Sequence, residues 1–367
     1  MNVFQKFGVR QIINGSGKMT ALGASAVHPE IAKALGEAAM DYVDIDELMV
    51  AAGVGIAKAT GAEEGCPTAG AAPGIAISIA AVIAGTNLTR IEKLPNSDGI
   101  KNEVILQKGH SVHFGAAIPQ MLALGGGKVL EVGQANHVER RHIEEAITDK
   151  TAALFYVKSH HAVQKGMQSI ETMAAIAKKH HIPFIIDAAA EEDLRKYIAK
   201  GADLVVYSGG KALAGPTSGF ICGKAELIKA CRMQYKGVGR AMKVGKESIV
   251  GLLTALERYD LKEDDSQSQI DRMTWLIRQV ENVPGIKGAI VQDEAGRAIY
   301  RAQLTIDSQV TGKSADVIIA ELESGNPAIY TRNHYANLGI INIDPRPLLL
   351  DQEQLIVLRI KEIMNNK

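Results

Sequence analysis

The sequence predicts an α/β fold, in which a mostly parallel sheet carries helices on both faces and is followed by a smaller C-terminal α+β domain. Three observations predict it. Short apolar runs alternate with helical stretches through the middle of the chain. The composition is 46% hydrophobic but only 4% aromatic, with 36 glycines, so the interior is built from Ala, Val, Ile and Leu on closely packed backbones. The pattern then changes character after about residue 260. At 367 residues the chain is long for one domain. We divide it into an N-terminal arm (1–20), a large domain (21–258) and a small C-terminal domain (259–367).

Taken in order, the arm is irregular, with Gly15, Ser16 and Gly17. Pro29 suits the first turn of a helix through Ile31, Leu35 and Ala38. Residues 51–60 again have helical spacing, stopped by Gly61. The small-residue turn 66–72 runs into the apolar helix 75–83, and 86–102 is a polar surface excursion with turn chemistry at Pro95-Asn96-Ser97-Asp98-Gly99. Strands are predicted at 104–106, 129–132, 152–157, 183–186 and 204–207. Helices are predicted between them at 115–124, 140–147, 170–179 and 192–200. The small domain holds a helix near 273–280, strands near 288–291 and 298–306, and a closing helix at 352–365.

Lys+Arg and Asp+Glu both total 41, and no basic block alternates with aromatics. Nothing in this balance suggests a nucleic-acid or lipid partner, and a small-molecule substrate is expected. Cys66, Cys222 and Cys231 form no CxxC spacing, which fits a reducing compartment, the cytoplasm by default. Residues 1–15 do not read as a signal peptide, and the most apolar run, 69–84, is too short to span a bilayer.

The strongest local signal is Leu204-Val205-Val206-Tyr207-Ser208-Gly209-Gly210-Lys211, an apolar strand that ends in Ser and two glycines and then delivers one lysine. Schiff-base chemistry needs an amine that is fixed in place and neutral part of the time, which a sheltered strand-end loop supplies. The alternative is a solvated loop lysine. About two dozen residues earlier, Pro183-Phe184-Ile185-Ile186-Asp187 is a buried strand ending in a carboxylate that suits a pyridinium nitrogen. Asp187 serves equally well as a helix N-cap. A third signal is Thr68-Ala69-Gly70, whose amides and hydroxyl stand at a helix N-terminus, an anion site by geometry. The fourth is Lys108-Gly109-His110-Ser111-Val112-His113, where an imidazole can stack on a ring. No metal site is expected, since adjacent pairs such as His160-His161 and His180-His181 on short turns lack ligand geometry.

The order of phosphate turn, ring-stacking residue, strand-end aspartate and Ser-x-x-Lys resembles the fold-type I pyridoxal-phosphate enzymes, with the aspartate-aminotransferase-like fold, over nearly the whole chain. Within them it is similar to the selenocysteine-synthase-like group. The motifs behind this are Ile13-Asn14-Gly15-Ser16-Gly17, Leu213-Ala214-Gly215-Pro216-Thr217-Ser218-Gly219 after the lysine, and Gly239-Arg240-Ala241-Met242-Lys243-Val244-Gly245-Lys246. The resemblance implies pyridoxal 5'-phosphate as cofactor, carried by Lys211 in Schiff-base linkage, with Asp187 on the ring nitrogen. Thr68, Ala69, Gly70 and Ser208 would contact the phosphate, His110 would stack on the ring, and Ala189 would lie under its other face. It also implies a homodimer or higher homo-oligomer, with Arg240, Lys243 or Lys246 reaching a neighbouring subunit's phosphate.

The sequence lacks the large N-terminal domain with which bacterial selenocysteine synthases dock aminoacyl-tRNA, so no tRNA partner is expected. The Lys-Gly-His-Ser and Ser-His-His segments resemble instead a subgroup of ammonia-lyases of sugar-acid catabolism. The implied reaction is α,β-elimination of water from a β-hydroxy amino acid, then deamination to a 2-keto-3-deoxy acid and ammonia. Lys211, or a histidine of Ser159-His160-His161, would assist departure of the hydroxyl. Arg332, or Arg346, would hold the carboxylate. If the substrate is phosphorylated, Lys236, Arg240, Lys243 and Lys246 would hold its phosphate. The alternative is another reaction on the same scaffold, such as a carbon–sulfur lyase, an aldolase or a selenocysteine-synthase-like transferase.

Overall fold

In the computed structural model, which describes residues 3–113, 115–159, 161–261, 264–293 and 297–365, the chain divides into two units. One spans 26–262, and the other joins 1–25 to 263–367. The first strand, β1 (Ile12–Gly15), belongs to the second unit.

The next seven strands build one sheet in the 26–262 unit: β2 (Glu64–Thr68), β3 (Glu103–Gln107), β4 (Lys128–Val132), β5 (Thr151–Val157), β6 (Phe184–Asp187), β7 (Leu204–Ser208) and β8 (Gly219–Gly223). Their spatial order is β2-β8-β7-β6-β5-β3-β4. Only β8 runs against its neighbours, β7 and β2. Side chains alternate between two cores, one on each face. Leu106, Phe155, Ile185 and Val206 pack on one, and Ile105, Leu154, Ile186 and Val205 on the other. This is why the strands read as continuous apolar runs, since a sheet covered on both faces has no polar side.

The helices start and stop where their caps say. Asp44 accepts from the Glu47 amide at 3.0 Å to open Ile45–Thr60, and Gly61, with φ 69°, closes it. Ser169 opens Ile170–His180 in the same way. Ala71–Ala84 is buried almost throughout, as a helix that is apolar on all sides must be.

Three segments differ from expectation. Glu64–Thr68 is an edge strand rather than a turn, and Pro67 is tolerated on a sheet edge. The polar stretch 86–102 contains a short helix, Leu88–Lys93, capped by Asn87. The helix expected over 192–200 shrinks to Lys196–Ala199 because the residues before it are held as a loop by tyrosine hydroxyls. Tyr197 donates to Glu191, Tyr207 to the Asp193 carbonyl at 3.1 Å, and Tyr259 to the Glu192 carbonyl at 2.6 Å.

In the second unit, β9 (Ile286–Gln292), β10 (Tyr300–Ile306) and β12 (Ile340–Ile343) form an antiparallel sheet, β12-β10-β9. There β1 pairs in parallel with β11 (Ala328–Thr331), Ile12 opposite Ala328. The irregular opening segment therefore contributes a strand, and Ile13 is fully buried in this unit's core. Asp344, also fully buried, accepts from Arg301 Nε at 3.0 Å and Arg346 Nη2 at 2.8 Å, while Asp293 pairs with Arg297 and Arg301.

Candidate active site

Ligands of open α/β sheets bind outside the carboxyl ends of the strands, and there the expected residues of the 26–262 unit gather. Asp187 ends β6, opposite Val157 of β5 and Val206 of β7. Two residues past Val206, Ser208 ends β7 and lies opposite Gly219 of β8, which in turn lies opposite Thr68 at the end of β2. Strand register alone thus brings Ser208 to the Thr68-Ala69-Gly70 turn. The register also requires a glycine at 219, because a Cβ there would stand 2.5 Å from the carbonyl carbon of Gly70.

The lysine is held by its loop. Gly209 N–H donates to Ser218 O at 2.8 Å, Gly215 N–H to Gly209 O at 2.8 Å, and Ala214 N–H to Lys211 O at 3.1 Å. Asp187 is 5% exposed, and its Oδ1 accepts from the Ala189 amide at 3.1 Å. Burial pushes its carboxyl up to about 6, against the opposing pull of Lys211 and the Ala189 amide. A buried carboxylate raised in this way fits a cationic ligand nitrogen. Ala189 lies beside both motifs, its carbonyl accepting from the Ser208 amide at 3.3 Å.

At the anion turn the Thr68 hydroxyl donates to the Gly70 carbonyl at 2.8 Å, so it braces the turn. What the turn offers an anion is backbone N–H, since the Ala71 and Ala72 amides that open Ala71–Ala84 have no intrahelical acceptor. This donor set suits a phosphate, and together with Lys211 and Asp187 the residues fit pyridoxal phosphate.

Two more expected residues, His110 and Ser159, lie just past the carboxyl ends of β3 and β5. His110 has no exposed surface and both ring nitrogens are bonded, so it has no open face on which to stack. The exposed imidazole of that segment is His113. Ser159 is half-buried just past β5, and its hydroxyl accepts from the His161 amide at 3.3 Å. His160 lies outside the described residues. Lys243 is exposed on a cavity of about 650 Å³ with Lys229, Lys236 and Arg240 on its rim and Met49 and Tyr235 on its floor. Lys246 borders the same cavity but is turned away, its ammonium donating to the carbonyls of Ala38, Ala39 and Asp41. Lys229 escaped the sequence reading because it lies on a different helix from the basic motif. In the second unit, Arg332 forms a backbone bridge with Asn342, and the Arg346 guanidinium is taken up by Asp344.

Residues 12–317 match the L-seryl-tRNA selenium transferase (SelA) family. The chain is 44% identical to a 5'-C-glycyluridine monooxygenase-decarboxylase from Streptomyces sp, over 98% of this chain and 92% of that one. It is 43% identical to a D-glucosaminate-6-phosphate ammonia lyase from Salmonella typhimurium, over 99% and 98%. A solved structure of D-glucosaminate-6-phosphate ammonia-lyase superposes with a TM-score of 0.95 at 43% identity, covering 100% of this chain and 98% of that one. The fold is the aspartate-aminotransferase-like fold of fold-type I pyridoxal-phosphate enzymes, and the chain belongs to the L-seryl-tRNA selenium transferase family.

Proposed function

We propose that this chain is a pyridoxal-phosphate-dependent ammonia-lyase for a β-hydroxy amino sugar acid, D-glucosaminate 6-phosphate being the substrate that fits best. The observation that carries the reading is a buried carboxylate, Asp187, within electrostatic reach of Lys211 at the carboxyl edge of the sheet. Its support is full-length likeness to an enzyme of that name.

The cofactor, when bound, supplies an electron sink for charge that develops at the substrate α-carbon. The protein's own groups do the rest. Lys211 Nζ would hold the cofactor and is the base placed to take the α-proton. Asp187 keeps the ring nitrogen protonated, and a cation there draws its carboxyl back toward the ordinary range. The amides of the Thr68-Ala69-Gly70 turn, braced by the Thr68 hydroxyl, would hold the phosphate together with Ser208. Lys211 or an imidazole of Ser159-His160-His161 gives the β-hydroxyl the proton it needs to leave as water. Water lost across the Cα–Cβ bond is regained as ammonia departs, so the net products are a 2-keto-3-deoxy acid and ammonium. Arg332 is the candidate for the carboxylate, with Arg346, whose guanidinium meets Asp344, as the alternative. Lys236, Arg240 and Lys243, with Lys229, form the candidate rim for a phosphate. A homo-oligomer working in the cytoplasm completes the reading. No helix among the described residues is long and apolar enough to cross a membrane.

The 44% identity to the monooxygenase-decarboxylase, beside 43% to the ammonia lyase, favours one second reading, a reaction of that class on the same scaffold. Two measurements separate the readings. An absorption band near ~420 nm, bleached by borohydride and missing in Lys211→Ala, would establish cofactor and lysine. Release of ammonia and keto acid from D-glucosaminate 6-phosphate without oxygen supports the lyase. Turnover that requires oxygen and releases carbon dioxide supports the second reading.

A further inference from the structure

A single imidazole ties the segment after β5 to the segment after β3. His110 Nδ1 accepts from the Val157 N–H at 3.3 Å, and Nε2 lies 3.0 Å from the Val163 carbonyl oxygen. A ring that accepts at Nδ1 carries its proton on Nε2, so the two bonds together fix the tautomer. Three more bonds close the same joint. Val163 N–H donates to Gly109 O at 3.0 Å, the Tyr156 hydroxyl to Gln164 Oε1 at 3.1 Å, and Gln164 Nε2 to Val157 O at 3.2 Å. The Tyr156 ring stands edge-on to His110 with centroids 4.4 Å apart. The joint is tight enough that a Cβ on Gly109 would come within 2.5 Å of Ala135 O and 2.9 Å of Val163 Cβ.

We propose that His110 is a positioning residue: it pins the loop between Val157 and Val163, which carries Ser159 and His161, to the end of the sheet. The inference rests on the reading of that loop as the substrate side of the site. Burial lowers the imidazole's pKa to about 4, the Val163 bond opposing this and the charge of Lys158 adding to it. Nδ1 therefore keeps its acceptor role at neutral pH. A ring with no exposed surface and two committed nitrogens does what a fixed bracket does.

The test uses the two amides that mimic one nitrogen each in the full-length, cofactor-loaded enzyme. His110→Gln keeps a donor near the place of Nε2 and with it the Val163 bond. His110→Asn keeps an acceptor near the place of Nδ1 and loses that bond. Hydrogen exchange at the amides of Val163 and its neighbours is expected to quicken about tenfold in His110→Asn and to stay near wild type in His110→Gln, in line with the loss of one buried hydrogen bond. KM should rise in His110→Asn while the Lys211-dependent absorption band is unchanged in both. Unchanged exchange in both variants, or a shifted absorption band with unchanged exchange, would overturn the proposal in favour of a ring contact. A missing band in the wild-type protein would instead defeat the cofactor reading and leave the exchange comparison standing.

Discussion

The Lys246 ammonium donates to the carbonyl oxygen of Asp41 at 2.6 Å and to that of Ala39 at 3.1 Å, which places a cation at the C-terminal end of the helix Pro29–Ala39. A charge there satisfies carbonyls that the helix leaves open and complements its dipole. Lys246→Ala is expected to cost about 1–2 kcal/mol of stability in urea titrations, with little change in KM. Lys243→Ala should do the reverse, leaving the urea midpoint in place and raising KM for a phosphorylated substrate about tenfold. Similar stability losses in both would mean that the two lysines share one structural role.

Asp187 gives the cofactor-free protein a pH signature. Its folded-state value of about 6 lies above the ordinary carboxylate value, so the folded state binds the proton more tightly than the unfolded chain does. The associated stability is fully present below about pH 4 and is lost as pH rises through 6, a change of roughly 2–3 kcal/mol. Asp187→Asn removes this dependence. The stability of the Asn variant relative to wild type should therefore grow between pH 4 and 7 when both are unfolded in urea, and a flat difference would show that burial is not what sets this carboxyl.

Gly219→Ala tests the coupling of β8 to the anion turn. The added methyl meets the Gly70 carbonyl and the Tyr207 carbonyl oxygen, which lies 2.8 Å away. The expected cost is about 1–3 kcal/mol. The affinity of the cofactor-free protein for pyridoxal phosphate, followed by absorbance, should fall as well, because the turn must shift to make room. Retained affinity would mean that the amides of the turn are not the phosphate contacts.

In the second unit, burial raises the Asp344 carboxyl, but Arg346 and Arg301 outweigh it and hold the carboxyl below the ordinary range. Its stabilisation is present above the unfolded value near 4 and is lost as pH falls further. Asp344→Ala leaves two guanidinium groups without their shared partner and should cost about 3–5 kcal/mol. The loss should be read from unfolding curves at neutral pH and should shrink toward acid. A variant as stable as wild type would show that the arginines find water instead.

Much of the site is legible in the sequence because, in a parallel sheet, an apolar run ends where the ligand side begins. Phe184–Asp187 and Leu204–Ser208 announce their last residues in that way. β8 was not legible, since Gly219–Gly223 begins and ends in glycine and supplies no run. Lys243 and Lys246 look alike in sequence, and only the carbonyls of a distant helix end separate them. His110 reads as a ring partner because its second hydrogen bond goes to Val163, 53 residues further on, a relation that no local pattern records. Residues 192–195 read as helix in sequence, because the tyrosines that hold the adjoining loop come from three different elements.

The pairing of Ile12 with Ala328 has a consequence for how the protein is made. A ribosome releases β1 first, yet β11 emerges only after the whole seven-stranded sheet. Ile13, which ends up fully buried, must wait without its neighbours while the sheet assembles. The nascent chain thus carries an unmatched apolar strand through most of its synthesis, and a message cut short before β11 would release a product that keeps that strand as a sticky end.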